Sequence, residues 1–283
     1  MTALYAALAL VLLPRGAFAD DAVLSPEQLY ARAVEHMKAL PQPPNATYAV
    51  DIHVDGAGFL LDRKPDGRAE IGFVVGDRNA KPDGSFQAAY RSSDGLTALQ
   101  TKPGQWADTT DPLFDPTWSG ISDWIRYGLH GRPATATPMP SPTPAAQATA
   151  VPEIAAVTAF GVAYYDVYDR GVKSCANGDP GHAVHLIAHR DPADHPLTDA
   201  TIDLSTGELC ALSFAVRQAG PVSLRASIDL DLGTVNDQPV VTHESFVITV
   251  HVLAFAVKQI KAIATYHNFA FPQSLDPSLF QSK

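Results

Sequence analysis

The sequence predicts a β-dominated α+β protein of one domain, with a curved antiparallel sheet, an unclosed half-barrel, that helices cover. Most of the chain consists of short runs in which apolar and polar residues alternate, as in strands with one buried face. Turn residues such as Pro65-Asp66-Gly67 and Pro82-Asp83-Gly84 separate these runs, which indicates an antiparallel meander. Two further segments show helical spacing instead.

Composition excludes several classes of protein. The chain has 283 residues, of which 46% are hydrophobic and 18% charged, so it contains enough apolar material for a sizeable core and is not disordered throughout. Its 20 Lys and Arg against 30 Asp and Glu give a net charge of −10, and no local basic stripe reverses that balance. A polyanion is repelled by such a surface, so we expect no nucleic-acid partner.

The first residues have the pattern of an export signal. Residues 3–14 form an apolar run, and Ala17-Phe18-Ala19 supplies the small residues that precede a cleavage site. We therefore expect a signal peptide at 1–19 and a mature single domain at 20–283. The run is too short for a membrane-spanning helix, and no later segment qualifies. The protein is expected to be exported, periplasmic or extracellular, and soluble.

The two cysteines of an exported chain would meet oxidising conditions. Cys175 and Cys210, separated by 35 residues, are expected to form a disulfide there, and two buried free thiols are the alternative. Their spacing is not that of a C-x-x-C redox motif, and two thiols alone make a poor metal site.

Two segments of the chain have the pattern of a helix. Ser25-Pro26-Glu27-Gln28 has the residues of a capping box, so a helix should begin there and end before the prolines that follow Leu40. A second helix is predicted at 116–129, where Trp118, Ile121 and Trp124 recur at helical spacing. Residues 132–147, rich in Pro, Ala and Thr, predict an exposed extended loop.

Strands are predicted on both sides of that loop. The clearest is 222–232, with one wholly apolar and one wholly polar face, whereas both faces of 246–257 are largely apolar. The predicted strand segments are 45–55, 58–63, 69–76, 85–91, 95–101, 154–169, 182–189, 199–204, 208–216, 222–232, 240–257 and 260–269.

A sheet with so large an apolar face must close on itself or be covered. Two short helices shield only part of it, so the remainder is predicted to line a groove for an apolar ligand. The alternative is that the sheet closes and its apolar faces meet as core. Face alternation gives these candidate groove residues: Val50, Ile52, Ile71, Phe73, Val222, Leu224, Ile228, Phe246, Ile248 and Val250.

The order of these features resembles the exported lipoprotein-carrier superfamily of LolA, LolB and RseB-like proteins. The matching stretches are the opening helix, the strand at 45–52, GlyHisAlaValHisLeuIleAlaHisArg at 181–190, ThrIleAspLeuSerThrGlyGluLeuCys at 201–210 and TyrHisAsnPheAlaPhePro at 266–272. The resemblance covers most of the mature chain and contains no catalytic signature. It implies a half-barrel lidded by helices that holds acyl chains without chemistry. The loop at 132–147 and the paired cysteines depart from the carriers.

Residues that could carry chemistry are sparse. His182, His185, His189 and His195 crowd together near Asp191 and Asp194, but on a strand His185 and His189 share one face while His182 points to the other. We interpret this His182–His195 cluster as a polar strand face and a turn; a metal site would need three of these nitrogens to converge. Asp229 and Asp231 are interpreted as a solvated strand face. No nucleophile elbow, H-E-x-x-H, P-loop or dinucleotide motif occurs. We expect neither an enzyme nor a cofactor, and the alternative of a hydrolase or metal enzyme would need the His182–His195 cluster to converge.

The leading functional hypothesis is a non-enzymatic, carrier-like binding protein whose groove holds a lipid or lipidated partner, such as an acyl chain or a lipoprotein. The alternative is a cell-envelope interaction or sensor module with a closed β core, in which the 132–147 loop or an edge strand meets a protein partner.

Overall fold

The computed structural model of the protein describes residues 24–40, 43–65, 67–91, 95–109, 116–118, 121, 160–189, 195–218, 222–252 and 255–280. The signal peptide predicted at 1–19 and the loop predicted at 132–147 lie outside these residues. Both remain predictions.

The described residues form one α-helix, thirteen strands and two short 3-10 helices, Val162–Tyr164 and Pro277–Phe280. In chain order the other elements are α1 (Pro26–Ala39), β1 (Asn45–Asp55), β2 (Gly58–Arg63), β3 (Ala69–Val74), β4 (Asp83–Arg91), β5 (Leu96–Lys102), β6 (Gln105–Thr109), β7 (Tyr165–Ser174), β8 (Pro180–Ala188), β9 (Leu197–Asp203), β10 (Leu209–Gln218), β11 (Val222–Val235), β12 (Gln238–Val252) and β13 (Phe255–Ala270).

The predicted start of α1 is confirmed. The Gln28 backbone N–H donates to Ser25 Oγ at 3.2 Å, and the Ser25 N–H donates to Gln28 Oε1 at 3.0 Å, which completes a capping box. Pro26 occupies the first turn, where its missing N–H leaves no hydrogen bond unmade. The buried side of the helix carries Tyr30, Ala33, Val34 and Met37 and packs on β7, β9 and β10.

Eleven strands form one antiparallel sheet in the order β6-β5-β4-β1-β13-β12-β11-β10-β9-β8-β7. The sheet is not closed into a barrel, so the predicted fold class is confirmed. Strands from both sides of the 132–147 segment belong to this sheet. The strand β1 lies between β4 and β13, and Val50 is directly opposite Tyr266.

A separate hairpin replaces part of the predicted meander. Strands β2 and β3 pair only with each other among the described strands, and they lie over the large sheet. Phe59 of β2 contacts Phe86 of β4 at 5.8 Å between ring centroids, and Phe73 of β3 contacts Phe246 of β12 at 5.3 Å. The chain leaves the sheet after β1 at Gly56, whose φ of +80° is available to glycine without strain.

The strands differ from the prediction most at three places. The strand predicted at 154–169 begins only at Tyr165, because a 3-10 helix precedes it, and it continues to Ser174 through Gly171; residues 154–159 lie outside the described part. The short strand β6 was not predicted. The single strand predicted at 240–257 is divided between β12 and β13. The division was not predicted because no Gly, Pro, Asn or Asp occurs between the two strands.

The inner face of the large sheet is defined here as the face that carries Val50, Ile52, Ile228 and Phe246. The main core lies on it, beneath α1 and the β2–β3 hairpin. On the opposite, outer face, Phe280 packs with Ala89 and Ala98 in a small second cluster. Arg91 lies over the Phe280 ring, with 4.3 Å from Cζ to the ring centroid.

Candidate functional site

The inner face is a continuous apolar surface across the centre of the sheet. Directly opposed residues of antiparallel strands project to the same face. Ile228 is opposite Phe246 and Phe214, Phe246 is opposite Ala262, and Ala262 is opposite Val54. This row joins five strands, β10, β11, β12, β13 and β1.

Two covers shield this surface at different places. Near the β9–β10 turn, α1 brings His36 Nε2 to 3.9 Å from Glu208 Oε1. Beside it, the Tyr30 hydroxyl donates to the Phe160 carbonyl at 3.0 Å, and Phe160 stacks on Trp118 at 4.8 Å. The β2–β3 hairpin covers β1, β4 and part of β12 through the two aromatic contacts given above.

Of the second helix predicted at 116–129, only 116–118 and 121 belong to the described residues. The Ile121 N–H donates to the Thr117 carbonyl at 3.1 Å, which is the spacing of one α-helical turn. Trp118 and Ile121 are both buried in the main core. This much agrees with a helix, and the remainder stays a prediction.

An apolar strip on the same face is only half-buried. It consists of Val216, Leu224, Ile248 and Val250, at the ends of β10, β11 and β12 that are remote from α1. Val216 and Ile248 are both opposite Ala226, and Leu224 is opposite Val250. Lys258, also half-buried, is opposite Val250 on the other side. The strip therefore ends beside a cationic side chain.

The ten predicted groove residues are brought to one region but differ in burial. Five are core residues, with at most 6% exposure: Val50, Ile52, Ile71, Ile228 and Phe246. Phe73 is half-buried at the margin of the core, and Leu224, Ile248 and Val250 are half-buried in the strip. Val222 is opposite Val252 in the sheet, and its exposure is outside the described part. Whether these residues line a ligand site stays a prediction.

A buried carboxylate on the inner face was not predicted. Glu244 is opposite Leu230 and Ala264, and it is 6% exposed. The Tyr266 hydroxyl donates to Glu244 Oε2 at 2.8 Å. The sequence did contain a sign of this burial. Glu244 is two residues from Phe246 and four from Ile248 on β12, so its side chain projects to the same face as theirs.

Burial also affects two tyrosines beneath α1. Desolvation raises the pKa of Tyr30 well above its usual value, and the nearby Tyr165 adds to that rise. Burial likewise raises the pKa of Tyr165. Both phenols are therefore neutral at physiological pH, and the Tyr30 hydroxyl keeps the proton that it donates to Phe160.

The histidines of the predicted His182–His195 cluster are held apart. Three of them contact aspartates of neighbouring strands at 2.8 to 2.9 Å: His182 with Asp169, His185 with Asp199, and His189 with Asp166. His195 instead stacks on Tyr164 at 4.5 Å. Asp191 and Asp194 lie outside the described residues. Within the part of the chain that the structure describes, no three His, Cys, Asp or Glu side chains meet as metal ligands.

The predicted disulfide is present. Cys175 follows β7 and is bonded to Cys210 of β10, with the two Cα atoms 5.7 Å apart. The bond fastens the end of β7 to the third strand inward from it. No helix among the described residues is long and apolar enough to cross a membrane.

Comparison with known proteins gave limited results. No protein-family model matches the chain, and no curated protein matches it significantly. A crystal structure from Vibrio parahaemolyticus, described as a candidate outer membrane lipoprotein-sorting protein domain, is similar to it at 10% identity and a TM-score of 0.36. The alignment covers 90% of this chain and 96% of that one. At this level the similarity transfers no residue role and no ligand.

Proposed function

We propose that this protein is an exported, non-enzymatic binding protein that holds the acyl chain of a lipid or a lipidated protein against the apolar strip, as a carrier in the cell envelope. The observation that carries the proposal is the strip itself: Val216, Leu224, Ile248 and Val250 lie together, half-buried, on the inner face of a sheet that does not close. An alkyl chain laid along them gains about 0.8 kcal/mol for each methylene removed from water.

The surroundings of the strip favour an amphiphile with an acidic head group. Lys258 is opposite Val250 and half-buried, so a cationic side chain begins beside the strip and would pair with the carboxylate or phosphate of a bound amphiphile. Phe73, which packs on Phe246, forms the hairpin side of the same region. Among lipids, these features favour a fatty acid or an anionic lipid over a neutral one.

Native mass spectrometry of protein purified after export tests the proposal. We expect a co-purifying acylated species, or a mass shift after incubation with oleate. The variant Ile248→Asp places a charge in the strip, and oleate affinity should fall at least about tenfold, because burial of an isoleucine contributes about 1.5–3 kcal/mol.

A matched control comes from the other face of the sheet. Ile263 of β13 is 39% exposed and lies opposite His53 and Ser245 on the outer face. Ile263→Asp should leave oleate binding unchanged. Lys258→Gln should weaken oleate more than its neutral glycerol ester. A clean apo mass, unshifted by oleate or a diacylated lipopeptide, would reject the carrier role.

One observation favours the second candidate function, an interaction or sensor module of the cell envelope. Strand β7 is a long, exposed edge of the large sheet, and edge strands accept partner strands. The closed-barrel form of this alternative is excluded by the open sheet. This second function would be favoured by two results together: the parent protein binds no lipid, and the Ile248→Asp variant still binds a protein partner.

A further inference from the structure

Among the described strands, β7 forms one edge of the large sheet. Among the described strands it pairs only with β8, and most of its residues are exposed, including Val172 at 80% and Tyr168 at 50%. The opposite edge, β6, is half as long and contacts the 3-10 helix Pro277–Phe280. An edge strand with unpaired backbone groups is a template for another strand.

The charges of β7 are ordered along the strand. Its first half contains Asp166 and Asp169, and its second half contains Arg170 and Lys173. A second β7 laid antiparallel in one register places Asp166 opposite Lys173 and Asp169 opposite Arg170. The same register places Val167 opposite Val172. Each of these pairs occurs twice about the two-fold axis, so the edge is complementary to itself.

A bulge in β7 places the paired residues of this register on the same face of the sheet. The pairing of β7 with β8 shifts between Asp169 and Gly171, where Gly171 has φ +77°. Asp166 is opposite Ile187, and Lys173 is opposite Gly181, two odd-numbered residues of β8 that share the outer face. Val167 is opposite Leu186, and Val172 is opposite His182, on the inner face. Without the bulge, Asp166 and Lys173 would project to opposite faces.

Contacts within the chain fix the position of β7 and of its two aspartates. The disulfide of Cys175 fixes one end, and cross-strand contacts from His189 and His182 fix Asp166 and Asp169. Both contacts use the Oδ1 atoms. A carboxylate accepts hydrogen bonds on both oxygens, so each aspartate retains an acceptor for a partner's cation.

From this complementarity we propose that two copies of the chain associate through antiparallel pairing of their β7 strands. The two sheets then join into one, with both inner faces, and so both apolar strips, on the same side. This interface is independent of what the strip binds, and ligand binding and self-association are measured separately.

Sedimentation equilibrium of the purified protein over a concentration series tests the proposal. We expect the weight-average mass to rise towards that of two copies, with weaker association at high salt, since opposed charges contribute. Asp166→Lys or Lys173→Asp alone sets like charges opposite each other twice, so the dissociation constant should rise at least about tenfold. Asp62→Lys, an exposed charge reversal on the β2–β3 hairpin, should leave it unchanged.

Mixing the two variants separates a lost interface from a lost fold. In a mixed dimer of Asp166→Lys with Lys173→Asp, every reversed residue again faces an opposite charge, so association should return to near the parental level. Three results would each overturn the proposal: a monomer at every concentration, a dimer that neither reversal weakens, or a mixture that does not recover.

Discussion

Glu244 shows how a single residue is accommodated on an apolar sheet face. Its carboxylate lies among Leu230, Ala264 and other core side chains, where removal from water is unfavourable unless donors replace the lost hydration. The Tyr266 hydroxyl is one such donor, at 2.8 Å. The pair ties β12 to β13 through their side chains as well as through the backbone ladder.

Removal of that donor should destabilise the protein. Tyr266→Phe deletes the hydroxyl and leaves the ring in place, so we expect the free energy of unfolding to fall by about 1–3 kcal/mol, the range for removing one partner of a buried hydrogen bond. Urea unfolding measures it. Tyr168→Phe, which removes a hydroxyl from a half-exposed ring, is the control and should change stability by less than about 0.5 kcal/mol. Equal effects of the two variants would contradict the role given to Tyr266.

The pair could not be predicted from sequence, for a reason of register. Alternation places Glu244 on the same face as Phe246, but which residue of the next strand lies near it depends on where the chain turns between β12 and β13. The turn contains none of the residues that mark turns. A one-residue error in its position would move Tyr266 to the outer face.

At the scale of elements, the β2–β3 hairpin decides which part of the inner face is covered. The alternation of apolar and polar residues predicted both strands. It does not show which sheet a strand joins, so the hairpin was wrongly predicted as part of the meander. Its position depends on a close approach at β4. There Gly84 leaves room for the Phe59 ring, since a Cβ at this position would overlap Phe59 Cζ and lie 3.1 Å from Phe86 Cε2.

Gly84→Ala should therefore displace the hairpin. We expect Phe59 to move away from Phe86, with a loss of about 1–3 kcal/mol in stability, as for an overpacked core. Faster hydrogen exchange of the β2 and β3 amides would report the displacement. Gly72→Ala on β3 is the matched control, because its Cβ has no heavy atom within 4 Å and its φ is unremarkable for an L-residue. If Gly72→Ala speeds hydrogen exchange of the hairpin amides as much as Gly84→Ala does, the contact at Gly84 does not position the hairpin.

For the whole molecule, the cysteines show what composition could predict. Their number and the export pattern predicted the pairing of Cys175 with Cys210, and the structure contains that bond. The sequence did not indicate that the bond would secure an edge strand, since the order of strands in the sheet depends on long-range pairing. The same limit applies to β1, whose two neighbours β4 and β13 are not its neighbours in sequence.

The double variant Cys175→Ser with Cys210→Ser should lower the free energy of unfolding by about 3–4 kcal/mol, because the unfolded chain gains the freedom of a 35-residue loop. Chemical denaturation of the oxidised parent and the variant measures the difference. The parent under reducing conditions should match the variant. A loss below about 1 kcal/mol would show that the bond constrains the unfolded chain little.

The place of β1 in the sheet also determines the order in which this protein can be built. β1 is among the first elements to be synthesised, yet one of its two partners is β13, some 200 residues later, where Val50 meets Tyr266. Contacts this distant in sequence raise contact order and slow folding. During synthesis the nascent β1 therefore lacks one of its two partner strands, and the central apolar rows stay incomplete until β13 has been synthesised. The row of inner-face residues that runs from Phe214 to Val54 is therefore completed only when β13 is in place.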